Sequence, residues 1–598
     1  MSKFDAMALA QARSMLAHTA GVDVLGEWRK QSKSAAWLLR LRLKLEAEPT
    51  AAVPLYSEWE VAVNFDADEW GKVQIYPALG PNGLTVTFQH QQFNGARHAT
   101  WECRSGHVCS ASWSGGLAKQ RNALPVEPTT TAERICWHVV RVLEWLPQAA
   151  TNILAKPGDV YELPDFAIGG KTLGNRLVYL ENEESFALWQ QDTNTSGIAW
   201  LSNSPETNTL YVRSFLPARG KQAIYTPPWG QVVASKKKDW QALWIRLNEM
   251  PVVGPWQAPA TTTELAQALT AQGKNLADML EPLWKNFELT GAQVMLLVGV
   301  PIPRKIGEDP YRYHWQALQL FPITKAPPKS RLALVKAHLA SAHPLTWLQL
   351  AENWDAAELQ NRGRLPQALC EAKVLLLGAG ALGSNLSVQL VHMGVQHLTV
   401  VDGEKLEGGN LVRHTLGFEQ LTQPKALALA EQLRQANPLA HVVGIDLMLP
   451  KTSAEFEQAA SEATLILDAT AEDAVLRMIP LACMNLDALF VSCSLSLRAE
   501  QLFFYAEMAG QFEQAKFDEW YAPYRLQQNE LAEQIDLPRG IGCYNPLTPA
   551  PLNRIAGLGS VAVELLEQVY GQPISLPVSL SHNWRVPLLV PATEEVFP

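Results

Sequence analysis

The 598-residue sequence has only seven cysteines and no CxxC pair. Cys103, Cys109, Cys136, Cys370, Cys483, Cys493 and Cys543 are too few and too scattered for a disulfide framework in so long a chain. Without CxxC spacing a structural zinc site is not expected. Long apolar runs are also missing: none approaches the roughly 20 residues that span a bilayer. The start, MSKFDAMALAQARSMLAHTAGV, carries charges throughout and has no apolar signal core. The expectation is a cytoplasmic protein with no membrane partner. An excess of basic charge is absent as well. Lys and Arg total 49 against 59 Asp and Glu, a net charge of −10, so nucleic acid finds no basic face and is not expected as a partner. No internal repeat and no low-complexity tract occurs.

What is present is an ordinary globular composition, 47% apolar and 18% charged. Single cores rarely grow past roughly 250–300 residues, so two to four domains are expected, three for preference. Residues 1–155 read as helix, strands and helix. WLLRLRLKLEAEP is taken with the helical entry; WEVAVNF, KVQIYPAL and LTVTFQHQQF alternate as strands; TTTAERICWHVVRVLEWLPQAA closes as a threonine-capped helix. AKPGDVYELPDF reads as a linker. Residues 156–345 read as mixed α/β with no chemical motif. Residues 346–598 open with a helical lead-in, WLQLAENWDAAELQNRGRLPQAL, before a buried strand. The expected fold class is multidomain α/β.

The most informative passage is Lys373 to Gly417. VLLL is a short buried strand, and Gly378, Gly380 and Gly383 form GxGxxG at its end. The helix SNLSVQLVHMG follows, then the strand HLTVV ending at Asp402. The glycines allow a tight turn and close backbone approach, and the helix start offers N–H groups to phosphate. Asp402 lies 19 residues past Gly383, where a carboxylate reaches ribose hydroxyls. GxGxxG alone would favour NAD or FAD. Asn410 and Arg413 in GGNLVRHTLG, with Lys425 beyond, suit a triphosphate better, because Arg and Lys neutralise charge as pyrophosphate leaves. A third strand, ATLILDAT, ends at Asp468, and Asp473 stands just past it; one of the two is expected to hold Mg²⁺.

The order GAGALGS, VVD, NLVRHTL, QPKA and LDAT resembles the ThiF/MoeB/HesA adenylyltransferases and the adenylation domains of ubiquitin-activating enzymes. The resemblance implies a Rossmann-like domain with a mostly parallel sheet. It implies that Gly378, Gly380 and Gly383 cradle ATP, that Asp402 takes the ribose, and that Asn410, Arg413 and Lys425 face the phosphates. It also implies an arginine lent by a partner protomer, Arg362 in QNRGRLP or else Arg364, and hence a homodimer. The family's Asp-Asn pair after the third strand is replaced by DATAEDAVL, so the metal carboxylate stays open between Asp468 and Asp473.

Two thiols stand out as reactive. Cys543 in IGCYNPLTPAP has glycine before it, prolines after it and a helix just ahead, a setting that keeps a thiol accessible and lowers its pKa. In ubiquitin-activating enzymes the thioester cysteine occupies a comparable crossover position. Cys109 follows strands and the turn RSG, which resembles the α+β ubiquitin-conjugating fold. Of that family's His-Pro-Asn element only His90 and Asn94 remain nearby. Cys103 is the fallback, Cys136, Cys370, Cys483 and Cys493 read as packing thiols, and His107 is given no role.

A conjugating-like domain, a middle domain and an activating domain in one chain resemble the fused conjugation enzymes of CBASS anti-phage operons. That resemblance implies ATP·Mg²⁺-dependent adenylation of a partner protein's C-terminus. A thioester on Cys543, transfer to Cys109 and conjugation to an amine on a target would follow. The implied donor is a cGAS/DncV-like nucleotidyltransferase. The competing readings are a sulfur-carrier adenylyltransferase, an NAD-dependent oxidoreductase and a non-catalytic interaction protein with a relic nucleotide fold.

Overall fold

The computed structural model describes residues 3–584 apart from 32–33, 35, 68–69, 111–126, 169–172, 239, 284–286, 288–292, 323–327, 481–483, 535–548 and 572–574. It divides into two units, residues 1–227 with 237–355 and residues 228–236 with 356–598. Among the described residues no helix is long and apolar enough to cross a membrane.

The first unit begins with an antiparallel sheet of β1 (Val22–Val24), β2 (Arg29–Lys30), β3 (Ala36–Lys44), β4 (Tyr56–Asn64) and β5 (Lys72–Pro77). The order is β1-β3-β4-β5, with β2 also on β3. Here WLLRLRLK, expected as helix, is strand β3. Its two-residue period decides this: Leu39, Leu41 and Leu43 face a core shared with the helices Lys3–Ala17 and Thr131–Ala150. Arg40 bonds the Glu58 carboxylate at 2.6 Å. LTVTFQHQQF, expected as a strand, is instead a loop tied by side chains, with both Leu84 and Val86 carbonyls accepting from Asn94. Thr130 caps the closing helix.

The rest of this unit is a closed barrel in the order β10-β11-β12-β6-β8-β7-β9. The strands are β6 (Leu173–Tyr179), β7 (Ser196–Ser204), β8 (Thr209–Pro217), β9 (Trp240–Arg246), β10 (Gln293–Ile302), β11 (Arg312–Pro322) and β12 (Thr346–Asn353). Parallel pairing of β9 with β10 closes it. One buried cluster draws on all seven strands, among them Leu201, Phe215, Trp244 and Trp315, with Trp189 from the helix Glu183–Gln191 packed in their midst. Full burial of each such side chain contributes about 1.5–3 kcal/mol or more. WLQLAEN, expected as helical lead-in, is β12. A bulge between Leu348 and Leu350 breaks its alternation and hides the strand period.

The second unit is a sheet in the order β15-β14-β13-β16-β17-β18-β19. Its strands are β13 (Lys373–Leu377), β14 (His397–Val401), β15 (His441–Ile445), β16 (Leu465–Asp468), β17 (Leu489–Leu495), β18 (Gln501–Met508) and β19 (Val578–Asn583). The first five in spatial order are parallel and the last two antiparallel. The chain leaves β13 toward β14 and later returns to β16 on its other side, so strand order reverses at β13. That is where open α/β sheets bind ligands. Residues 228–236 belong to this unit: Gly230 N–H donates to the Pro438 carbonyl at 2.9 Å, and Gln231 accepts from Arg434 and from the Val442 N–H.

Candidate nucleotide site and cysteine sites

The loop after β13 is shaped by its glycines. Gly378 has φ +89°, and a Cβ there would meet Thr470 Cγ2 at 2.9 Å; one on Gly383 would meet the Gly378 carbonyl oxygen at 2.0 Å. A Cβ on Gly380 would meet nothing within 4 Å. Gly380 is also the N-cap of the helix Ala381–His392, and no side chain caps that helix start. The Gly380 end of this helix therefore borders open space, and a helix start without a side-chain cap is where backbone N–H groups can hold a phosphate.

The Ala379 peptide is gripped from both sides. Asp402 Oδ2 accepts its N–H at 2.7 Å, and His414 Nε2 donates to its carbonyl at 2.7 Å. His414 Nδ1 accepts the Leu416 N–H at 3.0 Å, which fixes the tautomer. A ring whose Nδ1 accepts is neutral, and burial, the largest influence on His414, lowers its pKa in the same sense. His414 stands inside the RHTL motif, yet its role was not read from sequence, because a histidine that holds a backbone carbonyl has no signature of its own. Asp402 Oδ1 accepts the Glu404 N–H at 2.7 Å; burial raises its pKa, opposed by these two N–H groups and by Lys425.

A cleft of about 370 Å³ lies here, walled by Gly378, Gly380, Asp402, Met448, Thr470 and Glu472. Asn410, Arg413 and Lys425 are not part of its wall. Lys425, buried at the first position of the helix Lys425–Ala436, pairs with Glu404 on the wall at 2.5 Å. Asn410 Oδ1 accepts the Glu407 N–H at 2.9 Å, and Arg413 lies half-buried in the following turn. Arg362 is exposed, and Arg364 lies beside the buried Cys370.

The two metal candidates differ sharply. Asp468 is fully buried and its oxygens are occupied: Oδ1 accepts from Thr470 N–H at 3.0 Å and Oγ at 2.6 Å, Oδ2 from Ser492 Oγ at 2.8 Å. Burial raises its pKa. Asp473 is exposed at the start of the turn Asp473–Leu476. Glu472, a carboxylate not singled out in the sequence, is on the cleft wall. Among the described residues no group of three or more His, Cys, Asp or Glu is arranged to hold a metal.

Cys543 lies outside the described residues, as does Cys483. Cys109 is exposed, directly after buried Val108. Its N–H donates to the His90 carbonyl at 2.7 Å, and the Val108 N–H to Ile75 at 3.1 Å. Buried Ser110 bonds His138 Nδ1 at 2.9 Å, and His138 Nε2 contacts Glu127 at 3.1 Å. The RSG turn is built around Asn94: Arg104 donates twice to its carbonyl, and a Cβ on Gly106 would meet Asn94 Cβ at 2.5 Å. Asn94 is thus a scaffold residue that bonds Leu84 and Val86 carbonyls. Cys103, the fallback, is buried with its thiol pushed up to about 12, which makes it a poor nucleophile. Cys136 is half-buried on its helix, pushed up to about 11, and Cys370 and Cys493 are buried. Burial pushes the His107 pKa down to about 4.

Residues 152–354 match the family model of the Cap2 central linker domain, and residues 355–515 match the ThiF family. The chain is 29% identical over 559 residues to the ATP-dependent ubiquitin transferase-like protein Cap2 of Enterobacter hormaechei subsp. hoffmannii (strain UCI 50), covering 91% of each chain. It is 43% identical over 82 residues to the ubiquitin-like modifier-activating enzyme ATG7 of Rattus norvegicus, 13% of this chain and 12% of that protein. An E. coli MccB structure superimposes with a TM-score of 0.27 at 16% identity, over 36% of this chain and 64% of that one.

Proposed function

We infer that this ThiF-type fusion, which resembles Cap2, is an ATP-dependent activating and transferring enzyme that carries a partner protein's C-terminal carboxylate to an amine. The observation that carries the nucleotide part is the cleft at the strand-order reversal, where Asp402 and His414 hold the Ala379 peptide and leave Gly380 open. ATP lies along the loop of Gly378, Gly380 and Gly383, its ribose toward Asp402 and its phosphates toward the helix start. Lys425, Arg413 and Asn410 close on the phosphates once ATP brings its charge, with Lys425 leaving Glu404. Arg362 is the arginine lent by a partner protomer in a homodimer.

The carboxylate attacks the α-phosphate, forming an acyl-adenylate and releasing pyrophosphate. Positive groups fixed beside the leaving phosphates stabilise the charge that develops there. The Cys543 thiolate then attacks the acyl carbon and expels AMP, giving a thioester. The Cys109 thiolate displaces Cys543, and an amine on the target displaces Cys109 to form an amide. Mg²⁺ would offset phosphate charge; exposed Asp473 fits that role better than Asp468, whose oxygens are already bonded. Residues 1–155 serve as the ubiquitin-conjugating-like domain, 156–354 as the middle domain and 355–598 as the adenylation domain; the boundary expected at 345/346 moves past β12 because that strand belongs to the barrel. The donor is a cGAS/DncV-like nucleotidyltransferase, and the enzyme works in the cytoplasm. The reading is tested by incubating enzyme, ATP, Mg²⁺ and that nucleotidyltransferase, then separating the products without reductant. A thiol-labile adduct that survives in Cys109→Ala and vanishes in Cys543→Ala supports the relay and its order. No adduct and no ATP–pyrophosphate exchange would refute it.

A further inference from the structure

We propose that Glu162, on the segment leading into the barrel, is a positioning residue for Cys109 and acts through His90. This rests on the reading of Cys109 as the second acceptor thiol. Glu162 Oε2 accepts the His90 backbone N–H at 3.1 Å and contacts His90 Nδ1 at 3.0 Å. The carbonyl of the same residue accepts the Cys109 N–H at 2.7 Å. One carboxylate is therefore linked to the Cys109 peptide through a single residue.

His90 needs such a hold. Its φ is +57°, a left-handed conformation that a non-glycine residue keeps only where its surroundings hold it. Glu162 raises the His90 pKa, chiefly through that side-chain bond, with the Leu154 carbonyl and Asp159 acting in the same direction. Three residues further along each segment the contact repeats: Asp165 Oδ2 accepts the Phe93 N–H at 3.0 Å. The clamped stretch pairs with the cysteine strand through the Gln91–Val108 bridge and the bond from Gln92 N–H to the His107 carbonyl at 3.1 Å. A cavity of about 240 Å³, walled by Gln89, His90, Tyr161, Glu162 and Trp256, lies beside the clamp. Packing alone does not fill the space around His90, so the loop has room to relax when the carboxylate is removed. The barrel thereby helps set where the Cys109 thiol stands.

The test uses the full-length enzyme with the cGAS/DncV-like nucleotidyltransferase as donor, in wild type, Glu162→Ala and Glu162→Gln. Single-turnover loading of Cys543 and of Cys109 is followed, with amide exchange over residues 107–110. In Glu162→Ala, Cys109 is expected to load roughly tenfold to a hundredfold more slowly, the range that misplacement by up to about 1 Å costs. Its amide should exchange faster, while Cys543 loads at the wild-type rate. Glu162→Gln keeps an oxygen that accepts the His90 N–H and is expected to recover most of the loading. Wild-type loading of Cys109 in Glu162→Ala would overturn the proposal. So would a Glu162→Gln variant as slow as Glu162→Ala, or equal slowing of Cys543. If Cys109→Ala itself conjugates at the wild-type rate, the reading of Cys109 fails and the proposal with it.

Discussion

The cleft beside β13 holds a half-buried carboxylate and the barrel a fully buried one, each in a hydrogen-bonded niche put to a different use. Asp402 accepts two backbone N–H groups and still faces an open cleft. Glu181 is fully buried and enclosed. Its Oε1 accepts the indole N–H of Trp189 at 2.9 Å and of Trp315 at 2.7 Å, and Oε2 accepts Ser185 Oγ at 2.6 Å. The first niche shapes backbone for a ligand; the second locks a helix and two barrel tryptophans together. What separates the two carboxylates is the open space beside Asp402, which Glu181 lacks.

The largest effect is expected from Glu181→Ala, which strands two buried indole N–H groups and takes one of two acceptors from the Ser185 hydroxyl. It should lower the stability of the first unit by about 3–5 kcal/mol in denaturant titrations. ATP–pyrophosphate exchange, measured below the transition, should continue. Gly383→Ala reverses the pattern. Its methyl would lie 2.0 Å from the Gly378 oxygen, so exchange should fall by about a hundredfold while the first unit's melting transition stays put. Gly380→Ala is the finer probe, since its Cβ meets no protein atom. Steady-state exchange should show the KM for ATP rising by roughly tenfold, about 1.4 kcal/mol of lost binding, with stability unchanged.

A smaller effect concerns pH. Burial pushes His314, hydrogen-bonded to the Tyr179 hydroxyl and Gln316, down to about 3, and pushes Glu181 up to about 7; Arg312 acts on both. His314 has a folded pKa below its unfolded one, so its contribution is complete above about pH 6.5 and is lost as pH falls. Glu181 has a raised folded pKa, so its contribution is complete below about pH 4.5 and is lost as pH rises through about 7. Between those limits the two oppose each other. Glu181→Gln should unmask His314, making the free energy of unfolding from denaturant titrations climb more steeply from pH 4.5 to 6.5, by on the order of 1–2 kcal/mol across the window.

How much of this could be read in the sequence follows the same contrast. The glycine loop, Asp402 and the strands around them were legible because a βαβ turn needs glycine at fixed spacing and ends its strand on a polar residue. The cleft's other holder, His414, was not, since its partner is a backbone carbonyl 35 residues away. Two barrel strands, in LYVRSFLPARG and QVMLLVGVPIP, were legible as strands, but the closed barrel was not. Its parallel and antiparallel pairings join β6 to β12 across more than 150 residues, and bulges at Trp200 and Leu348 interrupt the alternation that would reveal them. The strand β3 reads as helix because leucine, arginine and lysine all favour helix by propensity, although its arginines alternate with leucine at the strand period. They find partners in Glu58 and Glu60 on the next strand.

Binding of ATP beside Gly380 for carboxylate activation is best probed by donor-dependent ATP–pyrophosphate exchange. Exchange should require Mg²⁺ and a donor with a free C-terminal carboxylate, persist in Cys543→Ala and Cys109→Ala, and collapse in Gly383→Ala. Exchange that ignores the donor's C-terminus, or a cleft that binds NAD more tightly than ATP and supports no exchange, would contradict this reading.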